Sequence, residues 1–172
     1  MQIINCTMAD MPLMLEFYDM ARDYQKEKST RHWQSFNPAL IKKEIAEKRQ
    51  WKILEKDKIV CIFMTAYDDP FIWGERNNDP AVYIHRIVTH PGWRGNNYTL
   101  RIIEWAKDHG RSLGKKFLRM DTWGDNPKLI DYYTKCGFNF LEIVTPETTS
   151  NLPAHYSCIS LSLFEIRIDE LN

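Results

Sequence analysis

The stretch AVYIHRIVTHPGWRGNNYTLRI, Ala81–Ile102, changes character twice within 22 residues. Residues 81–89 are an apolar run with the alternation of a β-strand. Pro91-Gly92 turns the chain, and from about residue 96 to 111 the spacing predicts a helix. A loop that enters a helix leaves several backbone N–H groups without partners, and the helix dipole adds partial positive charge at that end. Such a place suits an anion. Gly95 permits close approach and a left-handed backbone. Asn97 stands where a further glycine would be expected, and Asn is the next most tolerant of left-handed geometry. Thr99 adds a hydroxyl donor while its branched Cβ takes room. Arg94, Gly95, Asn96, Asn97, Tyr98 and Thr99 are therefore candidates to hold a phosphate. The plainer alternative is an ordinary helix start after a Pro-Gly turn.

Reading outward from this segment, residues 2–5 form a short strand. Thr7 and Asp10 make a capping-box start to a helix of about 9–28, with Met11, Met14, Leu15, Tyr18 and Ala21 at helical spacing. Asn37-Pro38 caps a second helix, whose buried stripe is Leu40, Ile41 and Ile45. Strands of about 50–56 and 58–67 follow, joined by the turn EKDK. The run KIVCIFMTAY is almost continuously apolar, as a central strand covered on both faces would be. The polar loop DDPFIWGERNNDP leads into the strand 81–89. Beyond the central helix come a strand at 116–123, a short helix from Asn126-Pro127 to the C-cap Gly137, and strands near 138–144 and 158–166. The loop TPETTSNLPAHY separates the last two. The order β-α-α-β-β-β-α-β-α-β-β predicts an α/β fold on a mixed sheet in one domain, residues 1–172.

The composition narrows the function classes. Of 172 residues, 23 are Lys or Arg and 23 are Asp or Glu, so the formal net charge is zero. That balance argues against binding nucleic acid through phosphate neutralisation. No run approaches the roughly 18 apolar residues of a membrane helix, and the N-terminus lacks a signal-peptide pattern. Cys6, Cys61, Cys136 and Cys158 form no paired motif and read as reduced thiols, so a cytoplasmic location is expected.

A second motif lies downstream, Asn126-Pro-Lys-Leu-Ile-Asp-Tyr-Tyr133-Thr-Lys-Cys-Gly137-Phe138. Taken with the Arg94–Thr99 turn and the element order, it resembles the GNAT superfamily of acyl-CoA-dependent N-acetyltransferases. The resemblance covers essentially the whole chain and is strongest over 81–140. It departs from the family pattern at Asn97 and Thr99, which stand where the family has small residues. It implies a mixed, largely antiparallel sheet with splayed central strands and helices on both faces. It further implies that acetyl-CoA, as co-substrate, lays its pyrophosphate on Arg94–Thr99. Backbone groups of Ile87, Val88 and Thr89 would bind the cofactor, those near Ile87 and Val88 would stabilise the oxyanion, and Asn126 would bond the pantetheine arm as well as cap its helix. Tyr133 would protonate the departing thiolate. On the residues alone Tyr133 also fits a core stripe with Leu129 and Cys136, while Tyr132 points about 100° away.

Making an amide requires an amine stripped of its extra proton. The family often draws a base from the strand 81–89, commonly a Glu, and this strand has none. Tyr83, His85 and Ile87 share one face of a regular strand, and His85 has an unperturbed pKa of about 6.5. Asp121 on the following strand would orient it, as carboxylates do for catalytic imidazoles. His85 as a hydrogen-bonded sheet residue is the competing reading. Arg86 points the other way, toward an acid beneath the sheet. A metal site from His85, His90 and Asp121 matches no ligand spacing, so none is expected.

The acceptor is left open among peptide N-termini, lysine side chains, polyamines and aminoglycosides. The loop 68–80 carries Asp68, Asp69, Glu75 and Asp79 with Phe71 and Trp73, a mixture suited to a cationic amine or simply to a solvated loop. The partners expected are a small-molecule or peptide amine and a second copy in a homodimer. The alternative function is a non-catalytic acyl-CoA-binding or sensing module with a degenerate phosphate loop.

Overall fold

The computed structural model describes residues 1–28, 32–124, 126–146 and 160–168. Its strands are β1 Gln2–Asn5, β2 Gln50–Glu55, β3 Lys58–Ala66, β4 Ala81–Thr89, β5 Phe117–Trp123, β6 Asn139–Val144 and β7 Leu161–Arg167. Its helices are α1 Met11–Lys28, α2 Pro38–Ala46, α3 Pro70–Trp73, α4 Tyr98–Ser112 and α5 Pro127–Lys135. The predicted order holds, with one addition: the loop 68–80 contains α3 and a 3-10 turn, Gly74–Asn78. Four helical residues are too few to show a period, so the sequence pattern cannot reveal them. Cys158 and the start of the last expected strand lie outside the described residues, as does most of the loop before them.

The seven strands lie in the order β1-β2-β3-β4-β5-β7-β6. The pairs β1–β2, β2–β3, β5–β7 and β6–β7 are antiparallel, and β4–β5 is parallel. This is the mixed sheet that the element order predicts, mostly antiparallel as the resemblance implies. The β4–β5 ladder runs from Ala81↔Phe117 to Ile84↔Met120. Register therefore brings the next residue on each strand, His85 and Asp121, side by side.

The chain divides into two compact units, one of Met1–Thr65 with Arg86–Tyr98, the other of Ala66–His85 with Thr99–Asn172. In the first, α1 and α2 bury Met14, Phe17, Tyr18, Ile41 and Ile45 together with Ile62 of β3 and Val88 of β4. Asn37 caps α2 by accepting from the Ala39 N–H at 2.9 Å, and Asp10 accepts from both the N–H and the hydroxyl of Thr7. Each was legible as a cap because Asn and Thr-x-x-Asp satisfy orphan N–H groups at helix starts.

The core of the second unit gathers Ile72 and Trp73 of α3, Ala81 and Tyr83 of β4, and Leu161 and Leu163 of β7. Arg119 is buried beneath α3 with its guanidinium between the Trp73 and Phe117 rings, at 4.9 and 4.8 Å. It bonds Asp79 at 2.7 Å and Glu165 at 2.8 Å and donates to the Arg76 carbonyl. A buried guanidinium is tolerable only when its donors are matched in this way. The result is that the segment 70–79 is fixed to the sheet rather than solvated, which positions Asp69.

Candidate active site

Residues 86–98 belong to the first unit. Arg86 interrupts β4 with φ +54°, a left-handed conformation that costs a non-glycine residue about 1–2 kcal/mol. Its guanidinium compensates by pairing with buried Glu44 at 2.5 Å, over the Phe36 ring at 4.9 Å and the Tyr18 ring at 5.7 Å. Glu44 of α2 is thus the acidic partner expected for Arg86. A left-handed residue breaks period-two alternation, so the face shared by Tyr83 and His85 does not run on through Arg86 to Ile87.

After β4, a 3-10 turn at Pro91–Trp93 leads to the candidate phosphate turn. Gly95 takes φ +84° and Asn97 φ +55°, so Asn97 holds the left-handed conformation anticipated for it. A Cβ at Gly95 would meet nothing within 4 Å; glycine is there for its backbone, not for space. The helix starts at Tyr98, two residues later than expected, because a left-handed Asn97 cannot be its first turn. Arg94 is stacked on Tyr24 of α1, 4.2 Å from the ring centroid, a contact that no local pattern announces. Thr89 donates to the Cys61 sulfur at 3.4 Å. Burial pushes the Cys6 and Cys61 thiols up to about 12, far from a reactive thiolate.

The second unit holds the titratable cluster. His85 Nδ1 lies 3.5 Å from Asp121 Oδ1, and His85 Nε2 lies 3.3 Å from Asp69 Oδ2. The first contact follows from strand register. The second does not: Asp69 is set in place because its N–H donates to Asn77 Oδ1 at 2.6 Å, and the same oxygen accepts from the Tyr83 hydroxyl at 3.1 Å. Asp69 precedes α3 without using its carboxylate to cap it. The sequence signal for it was only the acidic, aromatic character of the loop.

Donor atoms of Asp69, His85 and Asp121 all fall within 4.8 Å of one another. The two carboxylates, however, face opposite nitrogens of one imidazole, whose lone pairs diverge. One ion can take only one of those nitrogens, so the geometry is that of an imidazole bridging two carboxylates rather than of ligands around a metal.

Burial raises the Asp121 carboxyl from 3.8 to about 6; the His85 charge opposes this and the Asp69 charge adds to it. In the unfolded chain an Asp titrates at about 3.9. A raised folded value means stability that is present below about pH 4 and lost as pH rises through about 6. Asp121→Asn should therefore gain about 2–3 kcal/mol over wild type at pH 8 and little at pH 4. Urea unfolding at both values measures this; an equal difference at both would mean that the carboxylate is not desolvated.

Tyr133 sits on α5, partly buried, its ring 5.6 Å from Phe164 and 6.3 Å from Phe138. Burial pushes its phenol well above the ordinary range, with Tyr132, Cys136 and Asp121 adding to the shift. Tyr133 is thus an aromatic packed against two phenylalanines whose surroundings favour the protonated phenol. Asn126 caps α5, accepting from the Leu129 N–H at 3.2 Å. Tyr132 is exposed, and burial raises its phenol above the ordinary range.

The family model for the acetyltransferase (GNAT) family matches residues 15–138. Over 73 residues the chain is 25% identical to YesJ, an N-acetyltransferase of Bacillus subtilis; the match spans 42% of this chain and 41% of that relative. An acetyltransferase of the GNAT family from Listeria monocytogenes superposes with a TM-score of 0.77 at 17% identity, covering 96% of this chain and 94% of that one. The structure of yncA from Salmonella typhimurium, solved with its cofactor acetyl-CoA, gives 0.70 at 14% identity and covers 100% and 96%. Among the described residues no helix is long and apolar enough to cross a membrane. With most of its length inside the family model and its fold shared with these structures, the chain belongs to the GNAT acetyltransferase family.

Proposed function

We propose that residues 1–172 act as one N-acetyltransferase domain, moving an acetyl group from acetyl-CoA to a primary amine by direct attack. The observation that carries the reading, beside family membership, is the His85–Asp121 pair, 3.5 Å apart at the end of the β4–β5 ladder. The left-handed backbone at Gly95 and Asn97 supports a phosphate cradle, since such turns aim successive N–H groups at one anion. The non-catalytic alternative was drawn from the missing glycines, and a left-handed Asn97 supplies the conformation that one of them would. Arg94, Gly95, Asn96, Asn97, Tyr98 and Thr99 would hold the pyrophosphate, with backbone groups of Ile87, Val88 and Thr89 toward the acyl end and Asn126 toward the pantetheine arm.

In this reading His85 takes one proton from the bound ammonium, Asp121 steadies the resulting imidazolium, and the proton passes to solvent. The amine nitrogen then bonds to the thioester carbon as the C–S bond breaks. Tyr133 gives its proton to the leaving sulfur and regains one from the new amide nitrogen. One proton is released per turnover. No enzyme nucleophile is required, in keeping with the raised thiols of Cys6 and Cys61.

Thermal or urea unfolding with ligand tests the cofactor assignment. Acetyl-CoA at a hundred times its Kd should stabilise the fold by about 2.7 kcal/mol. Desulfo-CoA should act similarly and pantetheine far less, because the anchor is the pyrophosphate. Asn97→Gly should preserve the effect, since glycine adopts the same φ. Equal stabilisation by CoA and pantetheine would overturn the assignment.

A further inference from the structure

We infer that Asp69 is the acceptor-binding residue, and that the ligand it takes is a primary alkylammonium with no carboxylate beside its nitrogen. The inference deepens the acetyl-transfer reading and rests on it for the identity of the ligand as acceptor. Its ground is the arrangement around His85. Asp121 faces one ring nitrogen and Asp69 the other, at 3.5 and 3.3 Å. The two carboxylates differ in what they can reach. Asp121 is almost sealed, its side chain 4% exposed, and its Oδ1 accepts no hydrogen bond. A buried carboxylate oxygen without a donor is costly, and the cost falls when His85 turns cationic beside it. Asp69 and His85 keep side-chain exposures of 13% and 10%, so a ligand from solvent meets these two first.

With both carboxylates ionised the cluster is acidic in either protonation state of His85, and a cation is the ligand that matches it. The Asp69 carboxylate has no duty as a helix cap, while its backbone is fixed through Asn77 to Tyr83. The charge is therefore presented from a rigid frame. An ammonium set against Asp69 donates one N–H to that carboxylate and another to His85 Nε2. Proton transfer to Nε2 leaves a neutral amine and an imidazolium, and Asp121 balances the new charge from the opposite side. An α-amino acid is excluded on the same geometry. Its carboxylate lies two bonds from the nitrogen and would be pressed against Asp69, where like charges repel.

The test compares n-butylamine with norvaline, which differ only by that carboxylate, in wild type and Asp69→Asn. Asparagine keeps the size of the side chain and the backbone bond to Asn77, and circular dichroism checks the fold. Binding is read from the His85 ring resonances by NMR without acetyl-CoA, and turnover is read separately as CoA release. Saturable shifts with n-butylamine, none with norvaline, and at least a ~10-fold weaker n-butylamine affinity in Asp69→Asn are expected. Equal binding of the two ligands to wild type overturns the inference without any mutant, as does an unchanged affinity in a folded Asp69→Asn. A tight complex with zinc chloride that Asp69→Asn abolishes, with no response to n-butylamine, overturns it in favour of a metal. If n-butylamine binds through Asp69 but no acetyl group is transferred, the acetyl-transfer reading fails and the ammonium site stands. If amines turn over equally in both proteins, the site fails and the transferase stands.

Discussion

His85→Gln lowers kcat/KM for acetyl transfer by about 10²–10⁴-fold, the usual range for loss of a positioned base, and leaves acetyl-CoA affinity near wild type. Glutamine retains much of the size and hydrogen-bonding character of the imidazole while losing the ability to take a proton. The acidic limb of the pH profile should flatten with it. On the proposed mechanism that limb would arise because a protonated His85 cannot accept from the substrate ammonium, so activity would fall as pH falls. Asp121 lies 3.5 Å from one His85 nitrogen and Asp69 3.3 Å from the other, contacts within one compact unit. A folded His85→Gln protein that keeps the wild-type limb assigns the limb to another group and makes His85 a structural residue of the sheet.

Tyr133→Phe is expected to lower kcat by about 10²-fold or more, with stability and acetyl-CoA affinity little changed. The substitution keeps the ring against Phe138 and Phe164 and removes only the proton donor. Because burial holds the phenol above its ordinary range, the donor stays protonated through the working pH range. The loss should therefore be the same at pH 6 and pH 9, unlike that of His85→Gln. Tyr132→Phe is the comparison on another face of the same helix. It should stay close to wild type in both kcat and the KM for acetyl-CoA. Measured by CoA release under single turnover, a wild-type rate in Tyr133→Phe would mean that the thiolate departs unaided or with another donor.

The family, the element order and the ends of most helices were legible without coordinates, because each rests on local chemistry. Asn37-Pro38 and Asn126-Pro127 start helices since their side chains satisfy neighbouring N–H groups. Gly137 ends one because it can take φ +98°. Even Asn97 was readable, as the residue after glycine best suited to a left-handed turn. The pairing of His85 with Asp121 needed only two strands in the right order, since parallel register then sets them side by side.

What the tertiary structure decided is everything that depends on where a distant side chain comes to rest. Asp69 looked like one acid among four in a polar loop. It reaches His85 because a four-residue helix too short to show a period, a buried Arg119 and a shared Asn77 oxygen fold that loop onto the sheet. The Arg86 kink was hidden for the same reason: its left-handed backbone is strained locally and is held by Glu44, 42 positions away. Arg94 on Tyr24 likewise joins separate elements. Local pattern reports hydrogen bonds within a few residues and the period of burial. Charges that meet across a fold leave no such trace, and here they set two carboxylates against one imidazole.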